Sequence, residues 1–227
     1  PKRSLVIVGS YDWGVYALDI ADGNEVWAFD ANRAVHPAAA VTGADVVVGC
    51  CSGVVYRIAV DSGSGAALTT RDSAVLTTWP IVDGLAYGGG YDGTLVCVEV
   101  DTGRQRWAYA ENDGPIWTRP AVGPRRVVFG TEDGRVHALR RDRGRKLWSR
   151  ELRGGVTASP VLAGDTVLLG CSDGRAMLLD VTEAGREVWS RQIGASLRSP
   201  PAVVGAGFVI GCDDGYVYAF GPAGEAP

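Results

Sequence analysis

The sequence predicts an all-β protein, a six-bladed β-propeller of four-stranded antiparallel blades. Three observations predict it: a phrase that recurs at a period near 40 residues, glycine-centred turns between short apolar runs, and a tryptophan at one position of most repeats. Glycine supplies 32 of the 227 residues, which indicates many tight turns rather than long helices. A chain of this length fits one large β domain, so we expect residues 1–227 to form a single domain, excised from a longer protein.

Each repeat opens on a glycine that ends an apolar run. These glycines are Gly9, Gly49, Gly89, Gly130, Gly170 and Gly211, with steps of 40, 40, 41, 40 and 41 residues. Three positions later stands Asp or Ser, followed by glycine in five copies and by Trp13 in the first. Asp-Gly between apolar runs is typical of a two-residue hairpin turn, which needs positive φ. Because a bulky residue is awkward at positive φ, we expect Gly14 to adopt that conformation in place of Trp13.

A second glycine-centred turn follows in each of the first five repeats, at Gly23, Gly63, Gly103, Gly144 and Gly185. Four residues after its glycine stands Trp27, Trp107, Trp148 or Trp189, and the second copy has Ala67 there. A buried tryptophan removes roughly 150–250 Å² from water, so we expect each indole to lie against the adjacent blade. The junction of the second copy, which lacks its tryptophan, is predicted to be the weakest.

A fourth short segment completes each unit and gives it four strands, A to D. The A segments read VHPAAAV, LTTWPIV, IWTRPAV, VTASPVL and LRSPPAV. The first copy lacks strand A and the last copy lacks strand D. The alternatives are therefore a ring of six with two incomplete copies, a ring of seven blades, or an open ring.

The repeat resembles the tryptophan-docking motif of the pyrroloquinoline-quinone-like β-propeller family. The first copy reads ALDIADGNEVW, with Ala17, Asp19, Gly23 and Trp27 at the matching positions, and the third reads CVEVDTGRQRW. The resemblance covers essentially the whole chain. It implies the propeller fold and a family that includes quinoprotein dehydrogenases, outer-membrane assembly lipoproteins and sensor-like domains of bacterial proteins.

The resemblance implies two classes of function. The first is a non-catalytic domain for ligand sensing, scaffolding or protein interaction within a larger bacterial protein. The alternative is an enzyme or cofactor-binding propeller that uses the axial pocket. Quinoprotein dehydrogenases have an eight-bladed ring and more than twice the length of this chain. No set of calcium ligands can be placed in this sequence by motif. We therefore expect no cofactor, no metal and no catalytic residue.

The A strands should line the central axis and hold any ligand site. Their alignment predicts an apolar column of Val35, Leu76, Ile116, Val156 and Leu197. The candidate ligand-binding residues beside that column are His36, Trp79, Trp117, Arg119 and Arg198. Arginines could clamp a small anion and tryptophans could stack on a flat ring. The alternative is that these side chains only fill the axis and cap the blades.

Two surfaces are candidates for a protein partner or a fused domain. Tyr11 and Trp13 should project from the first B–C turn, either to a partner or onto a neighbouring turn. At the other end of the strands, one blade carries a basic cluster, which either docks an acidic partner or is solvated. Its candidate residues are Arg125, Arg126, Arg140, Arg141 and Arg143.

Charge and cysteine usage narrow the class of protein. The net charge of −4 argues against nucleic-acid binding, and no apolar run is long enough to span a membrane. Five cysteines form an odd set, and Cys50, Cys171 and Cys212 share one repeat position, which is typical of a small buried residue. The cysteine usage predicts a cytoplasmic protein, with an extracytoplasmic sensor domain as the alternative.

Overall fold

The computed structural model describes residues 4–35, 38–75, 77–111 and 114–221, and these residues form strands and turns. Six antiparallel sheets follow one another along the chain, each built from consecutive strands. The first three are blade one, β1 (Leu5–Gly9), β2 (Gly14–Asp19) and β3 (Glu25–Asp30); blade two, β4 (Ala40–Thr42), β5 (Asp45–Gly49), β6 (Val54–Ala59) and β7 (Gly65–Thr70); and blade three, β8 (Ile81–Val82), β9 (Leu85–Gly88), β10 (Leu95–Glu99) and β11 (Gln105–Tyr109).

The last three sheets continue the same order. They are blade four, β12 (Ala121–Val122), β13 (Arg126–Gly130), β14 (Arg135–Arg140) and β15 (Lys146–Glu151); blade five, β16 (Val161–Ala163), β17 (Thr166–Gly170), β18 (Arg175–Asp180) and β19 (Arg186–Gln192); and blade six, β20 (Ala202–Val204), β21 (Gly207–Gly211) and β22 (Val217–Phe220). The predicted all-β meanders are confirmed, and blades one and six have three strands each within the described residues. The chain divides into two compact units, residues 1–112 and 113–227.

Apolar side chains of adjacent blades pack into shared clusters within each unit. In the first unit, one cluster joins Val15 and Trp27 of blade one to Val46, Val48 and Ile58 of blade two. In the second unit, a comparable cluster joins blades four and five and contains Val136, Trp148, Val167 and Leu179. A sheet buries its second face only against a neighbour, so these clusters hold successive blades together.

The C–D turns owe their shape to a side chain that binds the turn's own backbone. In blade one, the Asp19 carboxylate accepts the N–H of Ala21 at 2.9 Å, and Gly23 closes the turn at a φ of 75°. In blade three Glu99 stands in that place and accepts hydrogen bonds from Arg104 and Thr102, each at 2.7 Å. Arg104 is the main cause that lowers the pKa of Glu99 to about 2.

Trp27 packs on the next blade, as predicted. Its indole Nε1 donates to the carbonyl of Val60 at 2.7 Å, and the tryptophan is buried. A Cβ added to Gly63 would lie 2.8 Å from the indole ring. Gly63 is therefore required both by its φ of 71° and by the close approach of the indole.

The same contact recurs in the second unit. Trp148 of blade four donates from Nε1 to the carbonyl of Val181 at 3.2 Å and lies on Gly185 of the next C–D turn. Trp189 of blade five instead meets two rings of blade six, Phe208 and Phe220, with centroids 5.7 and 5.2 Å away. Indoles therefore contact the following blade at both junctions of this unit.

The second copy replaces the missing indole by moving a β-bulge. In blade one the extra residue of the outer strand is Val26, directly before Trp27. In blade two the extra residue is Leu68, directly after Ala67. A Cβ on Gly103 of blade three would meet the Leu68 carbonyl, so the bulged backbone covers the site that the indole covers elsewhere.

The structure corrects the expectation for the first B–C turn. Trp13 itself has a φ of 82°, close to the 70–90° of the glycines at the same position in the other copies. Its carbonyl accepts the N–H of Ala31, as the Gly53 carbonyl accepts that of Arg71. This shared hydrogen bond sets the backbone conformation whatever the side chain. Gly14 is needed for space instead, because a Cβ there would overlap the Tyr16 ring.

The predicted apolar column is right except in its second member. Val75 pairs with Gly90 as Val156 pairs with Cys171, and the Val75 N–H donates to Cys50 as the Val156 N–H donates to Thr131. Val75, not Leu76, therefore holds the column position, and Leu76 lies outside the described residues. Relative to blade four, one extra residue separates this position from the following proline.

Candidate functional site

Of the two axial candidates of the first unit, the structure describes Trp79. His36 lies outside the described residues. Trp79 is buried, and its ring covers Gly88 so closely that a Cβ there would overlap the indole. Its ring therefore fills the blade, which is the structural role left open by the sequence, although its Nε1 has no hydrogen-bond partner.

The axial candidates of the second unit are exposed, and two of them contact carboxylates of the B–C turns. Trp117 is 43% exposed and donates from Nε1 to Glu132 at 2.8 Å. Arg198 forms an ion pair with Asp213, with Nε and Oδ2 3.0 Å apart. Arg119 is exposed, and its backbone N–H donates to Ser159 Oγ at 3.1 Å. Binding of a small anion by these residues stays a prediction.

The aspartates of the B–C turns bind their own turns. Asp12, Asp92, Asp173 and Asp214 each accept a backbone N–H two residues later, at 3.0–3.2 Å. In the last copy the Tyr218 hydroxyl also donates to Asp214 at 2.7 Å. This bond is the main cause that lowers the pKa of Asp214, and it raises the pKa of Tyr218 to about 12. These turn carboxylates thus support the local turn structure.

Sequence reasoning missed a buried cation in the first unit. Arg71 has a side chain only 9% exposed, and its Nη2 meets both oxygens of Asp92 at 3.0 and 3.1 Å. The same nitrogen donates to the carbonyl of Thr94, whereas Nε and Nη1 have no hydrogen-bond partner. The sequence does show an arginine directly after a D strand and an aspartate turn in the next repeat. This spacing was the signal that could have indicated the ion pair. The pair ties the end of blade two to the B–C turn of blade three.

The first B–C turn exposes its aromatic side chains, as expected. Tyr11 and Trp13 are 66% and 50% exposed. Between them, the Asp12 carboxylate accepts the Tyr16 hydroxyl at 2.9 Å. The backbone N–H of Gly14 is the first cause that lowers the pKa of Asp12, so this turn carries a carboxylate at neutral pH. Contact of Tyr11 and Trp13 with a partner stays a prediction.

The predicted basic cluster borders an open groove in the second unit. The groove has a volume of about 640 Å³ and lies between the A–B turns of blades four and five. We call it the A–B groove; its walls are formed by Val122, Arg125, Arg126, Leu162, Asp165 and Val181. The C–D turn of blade four lies beside it, because the Arg141 N–H donates to the Arg125 carbonyl at 3.0 Å. The two turns therefore emerge together, as predicted.

The arginines of this cluster differ in their charge partners. Arg140 forms a two-pronged hydrogen bond with Asp142, and Arg143 lies 3.7 Å from the same carboxylate. Arg140 is the main cause that lowers the pKa of Asp142. Arg125 and Arg126 have no carboxylate partner within the described residues, and Arg126 Nε is buried without a hydrogen bond. Arg125 and Arg126 therefore line the groove without an ion pair in the described part of the chain, and Asp165 is the one carboxylate of its walls.

Two kinds of feature are absent from the parts of the chain that the structure describes. These parts contain no group of three or more His, Cys, Asp or Glu side chains placed to hold a metal ion. They also contain no helix with the length and apolar character that a membrane crossing requires.

In sequence, the chain is similar to two proteins that carry the same name. No protein-family model matches it. The outer membrane protein assembly factor BamB of Alkalilimnicola ehrlichii is 32% identical over 92 residues, 40% of this chain and 23% of that protein. BamB of Bordetella pertussis is 28% identical over 173 residues, 70% of this chain and 44% of that protein. The chain thus spans less than half the length of these relatives.

The location expected from the cysteines is corrected by these relatives. Both are outer membrane assembly factors, so a cytoplasmic location for this chain is wrong. The cysteines misled because Cys50 and Cys171 are free but buried, and burial raises the pKa of the Cys171 thiol to about 12. A buried neutral thiol resists oxidation in any compartment, so its presence says little about location.

Comparison of structures establishes the fold. The crystal structure of BamB from Moraxella catarrhalis matches with a TM-score of 0.80 at 20% identity, over 97% of this chain and 70% of that one. The computationally designed Ika8 protein matches with a TM-score of 0.68 at 18% identity, over 97% of this chain and 81% of that one. The predicted β-propeller fold is therefore confirmed, and the chain is similar to BamB proteins in both sequence and fold.

Proposed function

We propose that this chain is a protein-interaction β-propeller that serves as a scaffold in outer membrane protein assembly. The observation that carries the proposal is its likeness to outer membrane protein assembly factors, found independently in sequence and in structure. A scaffold of this kind acts through its surface, and the chain exposes aromatic turns in one unit and a basic groove in the other. The proposed place of action is the cell envelope.

We also propose that the repeats are of the pyrroloquinoline-quinone-like type. The contacts of Trp27 with Gly63 and of Trp148 with Gly185 support this assignment. They give the recurring Gly and Trp of the motif a common purpose, which is the attachment of one blade to the next. The motif thus contributes to the scaffold and carries no chemistry of its own.

The proposal can be tested by measuring binding to the assembly machinery. The purified chain is immobilised, and detergent-solubilised outer membrane protein assembly machinery is passed over it in a surface plasmon resonance experiment. We expect saturable binding with a dissociation constant in or below the micromolar range. The Ika8 protein is the control, because it is computationally designed and has a similar fold. Equal binding to both proteins, or binding to neither, would contradict the proposed function.

A further inference from the structure

We infer that the A–B groove binds an extended segment of a partner protein in which acidic residues alternate with apolar ones. This role rests on the proposed protein-interaction function and adds to it a surface and a chemical class of partner. The groove lies wholly in the second unit, between the A–B turns of blades four and five. The size of the groove, its charge and the residues of its walls support this inference.

The groove has the size of a peptide-binding site. Its volume of about 640 Å³ falls within the range of about 300–1,000 Å³ that is usual for ligand pockets. Because it opens between two turns rather than into a closed cavity, a continuous chain can lie along it. The space accommodates a few side chains of an extended segment.

The charge of the groove selects an acidic partner. Arg125 and Arg126 line it without an ion pair in the described part of the chain, and Asp165 is the one carboxylate among the residues that line it. In the neighbouring C–D turn, by contrast, Arg140 and Arg143 already share Asp142. A carboxylate that enters the groove therefore meets guanidinium groups whose charge no internal acid compensates.

The surroundings of Arg126 are unfavourable while the groove is empty. Arg126 faces Arg140 directly across the β13–β14 pair, and the two like charges repel each other in part, because Arg140 is also paired with Asp142. Arg126 Nε is also buried without a hydrogen bond, which leaves a polar donor unsatisfied. An acidic side chain next to Arg125 and Arg126 would reduce the repulsion, so these features favour the occupied groove.

The apolar walls select the residues that flank the acid. Val122, Leu162 and Val181 supply apolar surface to the groove. The Val181 carbonyl accepts the Trp148 indole N–H at 3.2 Å, so this wall is held by the junction between the blades. A wall that is already fixed costs little ordering on binding. Apolar side chains next to the acidic ones would pack against it.

The inference is tested with labelled peptides and the full chain. Fluorescence anisotropy is measured with the fluorescein-labelled peptide ELEVDL, with the basic peptide KLKVKL, and with EGEGDG, which keeps the acids and lacks the apolar residues. We expect ELEVDL to bind at least about tenfold more tightly than either of the others, and added salt to weaken it. Equal binding of the acidic and basic peptides would overturn the inference.

Matched variants locate the binding. Arg125→Glu should weaken ELEVDL binding at least about tenfold, while its melting temperature stays the same because Arg125 is exposed and forms no ion pair in the described part of the chain. Arg191→Glu is the control, since Arg191 is an exposed residue outside the groove and its reversal changes the net charge equally. Val122→Thr, which keeps the shape of the wall, should weaken binding by a smaller factor. Equal affinities of the Arg125 and Arg191 variants would contradict the inference.

Two outcomes separate this inference from alternatives. Tighter binding to phosphatidylglycerol vesicles than to ELEVDL, lost in Arg125→Glu, would assign the groove to anionic lipid and overturn the proposed peptide site. If the chain binds the assembly machinery and Arg125→Glu binds it equally well, the groove inference fails while the proposed function stands. If ELEVDL binds and the machinery does not, the peptide site stands and the proposed function fails.

Discussion

Trp13 holds a backbone conformation that the other blades give to glycine. Its φ of 82° places an L residue with a bulky side chain in the left-handed region, at a cost of roughly 1–2 kcal/mol. The carbonyl at this position must accept the N–H at the end of the outer strand, as it does in blades two, four and five. The turn therefore imposes its conformation on whichever residue occupies the position, and in the first copy the strain is stored next to two exposed aromatic rings.

Replacing Trp13 by glycine should stabilise the protein. We expect Trp13→Gly to raise the free energy of unfolding by about 1 kcal/mol, because glycine adopts positive φ without steric cost and the lost ring is half exposed. Urea denaturation measures the change. Trp13→Ala is the control, since it removes the ring but keeps the strain. If both variants were destabilised equally, the ring contacts and not the backbone would decide the stability of this turn.

At the residue scale the sequence predicts turns better than side-chain environments. The Asp-Gly turns were predicted because their geometry is local, and their carboxylates bind the turn backbone as that geometry requires. Trp79 and Trp117 occur in the same kind of segment, yet one is buried on Gly88 and the other is exposed beside Glu132. That difference depends on contacts between strands that are distant in sequence, which composition and spacing do not report.

The C–D turn glycines differ from blade to blade in what they face. Gly23 and Gly63 hold the same turn position with φ of 75° and 71°. A Cβ on Gly23 meets no atom within 4 Å, whereas on Gly63 it would lie 2.8 Å from the Trp27 ring. The two positions therefore separate the cost of backbone strain from the cost of crowding an indole.

Alanine at the two glycines should measure that crowding. Both variants carry the strain of positive φ, and Gly63→Ala should lose about 1–3 kcal/mol more unfolding free energy than Gly23→Ala because the indole must move. Urea denaturation again gives the values. In a Trp27→Ala background the excess should vanish. An excess that persisted without the indole would show that Trp27 is not what Gly63 accommodates.

At the element scale, the strand order could be read from the sequence and the bulge could not. The period of 40 or 41 residues and its turns predict four strands per copy, which the complete blades have. In blade two the bulge lies at Leu68, after the tryptophan position rather than before it. In the sequence, only the presence of Ala67 at that position indicates the change. The single extra residue between Val75 and Pro80 likewise shifted the predicted column by one position, from Val75 to Leu76.

For the molecule as a whole, stability is expected to vary from junction to junction. In repeat proteins, total stability approximates a sum of blade and junction contributions. The junction of blades one and two contains a buried indole with a hydrogen bond. At the corresponding place between blades two and three, the Leu68 carbonyl lies on Gly103 instead. Every residue of the outer strand β7 is also exposed or half-buried.

Native-state hydrogen exchange should show this difference. We expect the amides of β7 to exchange through openings of lower free energy than those of β3, its counterpart in blade one, because less buried surface holds β7 in place. The inner strand β5 serves as the reference for full protection. Protection of β7 equal to that of β3 would mean that the Leu68 bulge replaces the indole without loss.

At the scale of the molecule, the fold could be predicted from the sequence and the groove could not. Periodicity is a property of the entire chain, so the propeller was predictable from it. The A–B groove gathers Val122, Leu162 and Val181 from two repeats, and neither its volume nor the lack of an acid beside Arg125 follows from spacing. Only the basic character of its rim was visible beforehand.

Trp27 lies on Gly63, and Trp148 lies on Gly185. Because of these contacts, the boundary of a transplantable segment differs from the boundary of a blade. A graft cut at the edge of blade one would carry Trp27 away from Gly63 and leave a hole in the recipient. A graft that ends after residue 64 would keep both halves of that junction. Chimeras of such repeats should therefore tolerate crossover points just beyond the C–D turn better than crossover points in the D–A loop.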